Sequence, residues 1–290
     1  MKPFVSIVIC SRNRLAALKK YALPSLLNLD YPSFEVVIVD DASSDGTNEF
    51  LITYCQEHPH IKAIQNQIAK GLCNARNVGI GHCRGEIIAF IDDDCSVSPN
   101  WLNELTKAYG DEKVAVVGGV SYKGDSNEIY IDDKHIWGCN MSFKASIFKM
   151  FEFDTGLKYS HYADETDLIG RILAHGYGKA IANSATAKHY VEEAAYRKQQ
   201  PLTAYLNYHY MNAKRSSLLG YYKYVLKHSL KHAALVEYGL NFKGKKLSLF
   251  PLLHLIAKKG IYYIYIFLLE IPISAKIKHA KEERLFRSNS

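Results

Sequence analysis

The feature that most constrains this chain is a repeated unit, a short β-branched run that ends in a cluster of polar or acidic residues. "FVSIVIC" (4–10) leads into Ser11-Arg12-Asn13-Arg14, "FEVVIVD" (34–40) into Asp40-Asp41, and "EIIAFID" (86–92) into Asp92-Asp93-Asp94. Runs this short and apolar read as buried strands. Between them lie segments with helical spacing: "LAALKKYALPSLLNL" (15–29), where Pro24 predicts a kink or break, "NEFLITYCQEH" (48–58) and "GLCNARNVGIGHC" (71–83). "IKAIQN" (61–66) reads as a further short strand. This alternation predicts an α/β fold with a mostly parallel sheet and helices on both faces. Ligands of such sheets bind beyond the carboxyl ends of the strands, so the polar clusters should converge on one edge.

Three adjacent carboxylates repel one another and need a compensating charge. The dinucleotide fingerprint is absent: "GIGHCRG" (79–85) does not match it and precedes a strand instead of following one. No phosphate-binding P-loop is present either. A nucleotide would therefore have its phosphates held another way, and a carboxylate-bound Mg²⁺ or Mn²⁺ supplies one. A single aspartate would read as a cap on the next turn. Three opposite two more favour a metal site.

With 290 residues, 48% apolar and 22% charged, the chain has enough material for a large core, as one domain or one domain with an appendage. The six cysteines (Cys10, Cys55, Cys73, Cys83, Cys95, Cys139) show no CxxC pair and no zinc-like spacing, which predicts free thiols in a reducing compartment. The first residues pass straight from Met into a strand-like run, so no signal peptide is expected. Residues 1–195 hold 19 Lys+Arg against 25 Asp+Glu, whereas residues 196–290 hold 17 against 4. Such asymmetry predicts two parts, 1–195 and 196–290, one suited to cations and one to anions.

With these motifs in order, the stretch from Val5 to about residue 192 resembles a family 2 glycosyltransferase of the GT-A fold. The resemblance is carried by "VSIVICSRNR", "VVIVDDASSDGT", "KGLCNARNVGI", "AFIDDDCSVSPNWL", "WGCNMSFKASIF", "FDTGLKYSHYADETDLIGRILAHGYG" and "AKHY". It implies sugar transfer from a nucleotide-diphosphate donor, with inversion at the anomeric carbon. By the same resemblance Asp41 contacts the donor base, and Cys10, Ser11, Arg12 and Asn13 line the nucleoside through backbone groups. Lys70 lies near the donor. Asp92 and Asp94 match the outer positions of the DxD motif, Asp94 for the metal and Asp92 for ribose or metal, with Asp93 between them. His189 stands where the family completes its metal shell. Gly138 and Asn140 match a Gly-Ala-Asn segment, Gly138 allowing close approach to the sugar and Asn140 hydrogen-bonding it. Trp137 offers a flat face to a sugar ring or packs in the core.

"ADETDL" (163–168) matches a segment with a Glu-Asp pair whose second acid is the general base. Here that position is Glu165, Asp164 stands where Glu is usual, and Asp167 is the third candidate. An inverting transfer needs one group to take the acceptor hydroxyl proton. Bound metal stabilises the leaving diphosphate, so no acid is needed on that side. Acids at a helix start also favour its dipole, which is compatible with this role.

Residues 196–290 lie outside the resemblance and read as basic, Tyr-rich helices. Their most apolar stretch, Ile261–Ile273, contains Glu270 and is shorter than the roughly 20 residues of a spanning helix. Tyr-rich apolar faces flanked by Lys suit an anionic membrane surface, or else pack on the catalytic domain or a second subunit. No nucleic-acid motif is visible. The expectation is a UDP-sugar transferase, with dTDP-sugar next, acting on a glycan or lipid-linked hydroxyl. It would serve cell-surface polysaccharide or lipopolysaccharide synthesis at the cytoplasmic face of the membrane. The alternatives are a non-catalytic sugar-nucleotide-binding or scaffold protein and a sugar nucleotidyltransferase.

Overall fold

The structure, a computed structural model, describes residues 2–126, 128–131, 135–157, 163–190, 200–223 and 271–289. Two compact units are present: Met1–Thr155 with Asp164–Glu192, and Gly156–Ala163 with Glu193–Ser290.

The first unit is built on one sheet. Its first strands are β1 (Val5–Ser11), β2 (Phe34–Asp40), β3 (Ile61–Gln65) and β4 (Ile87–Phe90). β5 (Cys95–Val97), β6 (Val114–Lys123), β7 (Ile129–Ile131), β8 (Met141–Lys144) and β9 (Gly178–His189) complete it. The order is β3-β2-β1-β4-β8-β6-β9-β5, with β7 paired to β6. β3, β2, β1 and β4 are all parallel. β8 then runs antiparallel to both β4 and β6, while β9 is parallel to β6. The sheet is thus parallel through its first half and mixed beyond it.

Residues apolar on both faces explain the centre. Val5, Ile7, Val8 and Ile9 of β1 and Val36–Val39 of β2 are almost fully buried. The segment from Leu15 is α1 (Leu15–Ala17), a π-helical turn (Leu18–Ala22) and α2 (Leu23–Leu27). Pro24 therefore does not end the helix. The preceding turn widens, with the Leu23 N–H reaching back to the Leu18 carbonyl, and the chain runs on to Leu27. α3 (Thr47–Glu57) follows β2, and α4 (Leu72–Gly81) precedes β4. α4 lies so close to the sheet that a Cβ on Gly79 would stand 2.6 Å from a Val8 methyl. α5 (Trp101–Lys107) and α6 (Asp164–Ala174) complete the helices used below.

In the second unit, α7 (Gln200–Arg215) and α8 (Ile271–Asn289) pair. Lys214, 1% exposed, donates to Glu282 over 2.7 Å. Most of the apolar stretch 261–273 lies outside the described residues. No helix among the described residues is long and apolar enough to cross a membrane.

Candidate active site

Strand register brings the polar clusters together. β1 lies between β2 and β4, with Ser11 opposite Asp40 and Val8 opposite Phe90. Their carboxyl ends therefore share one edge, where Asp92–Asp94 follow β4. The short β5 pairs antiparallel with β9, Cys95 opposite His189, which brings His189 to the acids.

Each aspartate of the triplet has its own partners. Asp93 accepts from the Ser11 hydroxyl at 2.7 Å and from Arg14 Nε at 2.8 Å, so it points back towards β1. Burial pushes its carboxyl up to about 7 against the pull of Arg14 and Ser11. Asp94 meets Arg14 Nη2 at 2.6 Å and His189 Nε2 at 3.1 Å. Burial disfavours its charge, but His189 and Arg14 prevail and hold it below the usual carboxylate range. Burial likewise opposes protonation of His189, yet Asp94 and the Cys139 thiol raise it to about 11. Asp92 keeps 34% of its side chain exposed and lies 3.6 Å from Arg76 Nη2.

Arg76 was not visible as a site residue in the sequence. It is 3% exposed, on α4, with the rings of Phe90 and Phe153 beside it. Its guanidinium pairs with Asp164, faces Asp92 and reaches the Gly138 carbonyl. A Cβ on Gly138 would stand 2.6 Å from Arg76 Nη2, so the glycine makes room for this arginine. An arginine among the apolar residues of "LCNARNVGI" was the available signal, since a buried guanidinium requires an anion. Arg14 offered a weaker one, as a cation at a strand end facing an acid triplet.

The first turn of α6 supplies three buried acids. Asp164 belongs to Arg76. Asp167, fully buried, is paired with Arg171 Nε at 2.8 Å. Glu165 accepts a long hydrogen bond, 3.4 Å, from the Thr166 hydroxyl. Burial, and then the neighbouring Asp164, hold the Glu165 carboxyl well above the usual range.

The remaining expected residues divide. Asp41, 4% exposed, accepts from Asn66 Nδ2 at 2.8 Å and from the backbone N–H groups of Lys70 and Gly71 at 3.0 and 2.8 Å. A carboxylate has about four acceptor positions, so one is left for a ligand. Asn13 has φ 54, and its side-chain oxygen accepts from the Ser44 N–H, tying the loop after β1 to that after β2. Cys10 is partly buried, Arg12 and the Lys70 side chain are exposed, and Trp137 is 39% exposed. Asn140, expected to hydrogen-bond the sugar, is instead 1% exposed and fully engaged. Its Nδ2 donates to the Val120 and Ala185 carbonyls and its Oδ1 accepts from Trp101 Nε1. It latches β8 to β6, β9 and α5, with no donor left over.

The donor set at the edge fits a hard divalent cation. Ligand atoms of Asp92, Asp94, Cys95 and His189 lie within 4.8 Å of one another. Two carboxylates and an imidazole suit Mn²⁺ or Mg²⁺.

Solved structures share this fold. The mannosyltransferase PcManGT of Pyrobaculum calidifontis, in complex with GDP-Man and Mn²⁺, superposes with a TM-score of 0.63 at 19% identity, covering 97% of this chain and 88% of that one. TarS 1–349 of S. aureus superposes at 0.59 and 15%, covering 99% and 88%. The fold is therefore that of the GT-A glycosyltransferases. Residues 6–166 match the family described as "Glycosyl transferase family 2", and the chain belongs to it. Curated relatives agree. Glycosyltransferase AglE of Haloferax volcanii is 31% identical over 149 residues, 51% of this chain and 49% of that protein. The beta-monoglucosyldiacylglycerol synthase of Trichormus variabilis is 36% identical over 119 residues, 40% of this chain and 25% of that protein. The matches thus span half or less of the length of these relatives.

Proposed function

We propose that this family 2 glycosyltransferase is an inverting, divalent-metal-dependent enzyme that moves a sugar from a UDP-sugar, or next a dTDP-sugar, to an acceptor hydroxyl. The single observation that supports this best is the pairing pattern of the acids. Asp92, Asp94 and His189 cluster at one edge, while Arg76 links Asp92 to Asp164 beside Glu165.

Asp92, Asp94 and His189 would hold the cation, which when bound would neutralise the diphosphate and stabilise it as leaving group. Asp41 and the backbone from Cys10 to Asn13 receive the nucleoside, with Lys70 beside it. Arg76 engages Asp164 as its ion-pair partner and leaves Glu165 to accept the acceptor proton at its carboxylate. A carboxylate with a raised pKa is a stronger proton acceptor once ionised. Asp93 positions Arg14 and is not a cation ligand in this reading.

The acceptor is a glycan or lipid-linked hydroxyl of cell-surface polysaccharide or lipopolysaccharide synthesis, at the cytoplasmic face of the membrane. The membrane part is supported by the basic charge of residues 196–290 and by Ile273 and Ile277 of α8, 57% and 56% exposed among lysines. A thermal-shift panel of nucleoside diphosphates tests the donor. UDP with Mn²⁺ should raise the melting temperature most. A larger shift with GDP, or equal shifts with and without Mn²⁺, would refute that choice.

A further inference from the structure

Folding assembles a donor set that sequence spacing did not reveal. Cys95 begins β5 and pairs in register with His189. Cys139 lies in the turn before β8, beside Asn140. One sulfur from each cysteine and one ring nitrogen of His189 lie within 4.8 Å of one another. Cys95 is fully buried and Cys139 is 4% exposed.

We propose that Cys95, Cys139 and His189 form a soft-metal site that takes Zn²⁺ and shares His189 with the hard-cation site. Zinc–sulfur and zinc–nitrogen bonds of about 2.3 and 2.0 Å put tetrahedral donors roughly 3.5–3.8 Å apart. The observed donor atoms, all within 4.8 Å of one another, lie in that neighbourhood. Two thiolates and an imidazole discriminate against Mg²⁺ and Mn²⁺, which prefer oxygen. A fourth donor is at hand, because Cys95 and His189 lie within the same 4.8 Å of Asp92 and Asp94. Both cysteine thiols give up their protons on binding.

The consequence is competition. An imidazole engaged by zinc on the sulfur side is withdrawn from the hard cation, so zinc should inhibit Mn²⁺-dependent transfer. This consequence rests on the proposed function, whereas the sulfur site rests on its own geometry.

Co²⁺ titrated into the full chain is the direct probe. Wild type should develop thiolate-to-cobalt charge-transfer absorption, and one equivalent of Zn²⁺ should abolish it. Cys95→Ala and Cys139→Ala should each lose the band and bind Zn²⁺ at least about tenfold more weakly, while Cys55→Ala keeps both. A wild-type cobalt spectrum without thiolate charge transfer overturns the site without recourse to any variant, and so does a band that persists in both variants. If the band forms but saturating Zn²⁺ leaves Mn²⁺-dependent turnover unchanged, the competition is overturned. Absence of Mn²⁺-dependent turnover in zinc-free protein would count against the proposed function and leave the sulfur site to its spectrum.

Discussion

Glu165 and Asp164 are neighbours in sequence and differ in what faces them. Asp164 is paired with buried Arg76, whereas Glu165 forms no ion pair among the described residues. Glu165→Gln should therefore lower turnover by about 10²–10⁴-fold with little change in donor affinity. A base must be ionised to act, and burial with Asp164 raises the pKa of Glu165. Wild-type turnover should thus climb with pH through that raised value, and the residual activity of Glu165→Gln should lack this limb. Turnover in Asp164→Asn falling as far, with Glu165→Gln fully active, would move the base by one residue. Arg76→Met makes a different prediction. It leaves Asp164 buried without its cation, and the loss of one partner of a buried pair costs about 3–5 kcal/mol. Urea unfolding measures this, and a loss below 1 kcal/mol would show that Arg76 is not the counter-charge described.

At the scale of elements, Glu35 joins β1, β2, β3 and the α4–β4 connection. Its carboxylate accepts from the Ser6 hydroxyl at 2.7 Å, the Arg84 N–H at 2.7 Å, Lys62 Nζ at 3.1 Å and Arg84 Nε at 3.0 Å. Burial opposes its charge, but these donors outweigh it and hold the pKa down to about 2. A depressed carboxylate stabilises the fold above its unfolded pKa of about 4.3 and loses that contribution as pH falls towards 2. Denaturation midpoints of wild type and Glu35→Gln should therefore differ by the equivalent of a few kcal/mol at pH 6 and converge by pH 2. A gap independent of pH would contradict the assignment. The parallel half of the sheet was legible because β1, β2 and β4 are dominated by buried apolar residues and end in polar clusters. β5 was not, since three residues carry no periodicity. The acid triplet, Asp41 and His189 were legible by position. Arg76 and the Asn140 latch were not, because their partners lie many residues away and only the completed sheet sets them side by side.

For the whole molecule, charge and surface separate in the same way. The unit with the acidic edge can concentrate a cation, and the C-terminal residues carry the positive excess. On α8 the exposed Ile273 and Ile277 are one helical turn apart. Each isoleucine taken out of water contributes about 1.5–3 kcal/mol. Ile273→Ser with Ile277→Ser should therefore reduce partitioning onto anionic vesicles at least about tenfold, and salt should weaken what remains. Unchanged partitioning would remove α8 from the membrane reading. The central claim is that the edge formed by Asp92, Asp94 and His189 holds a divalent cation essential to sugar transfer. The most direct measurement is release of nucleoside diphosphate from a panel of UDP- and dTDP-sugars, with Mn²⁺ and with EDTA, by wild type and Asp94→Ala. The account predicts release by wild type with Mn²⁺ alone, and none by Asp94→Ala at any Mn²⁺ concentration. Release by wild type in EDTA at the Mn²⁺ rate, or full Mn²⁺-dependent release by Asp94→Ala, would contradict it.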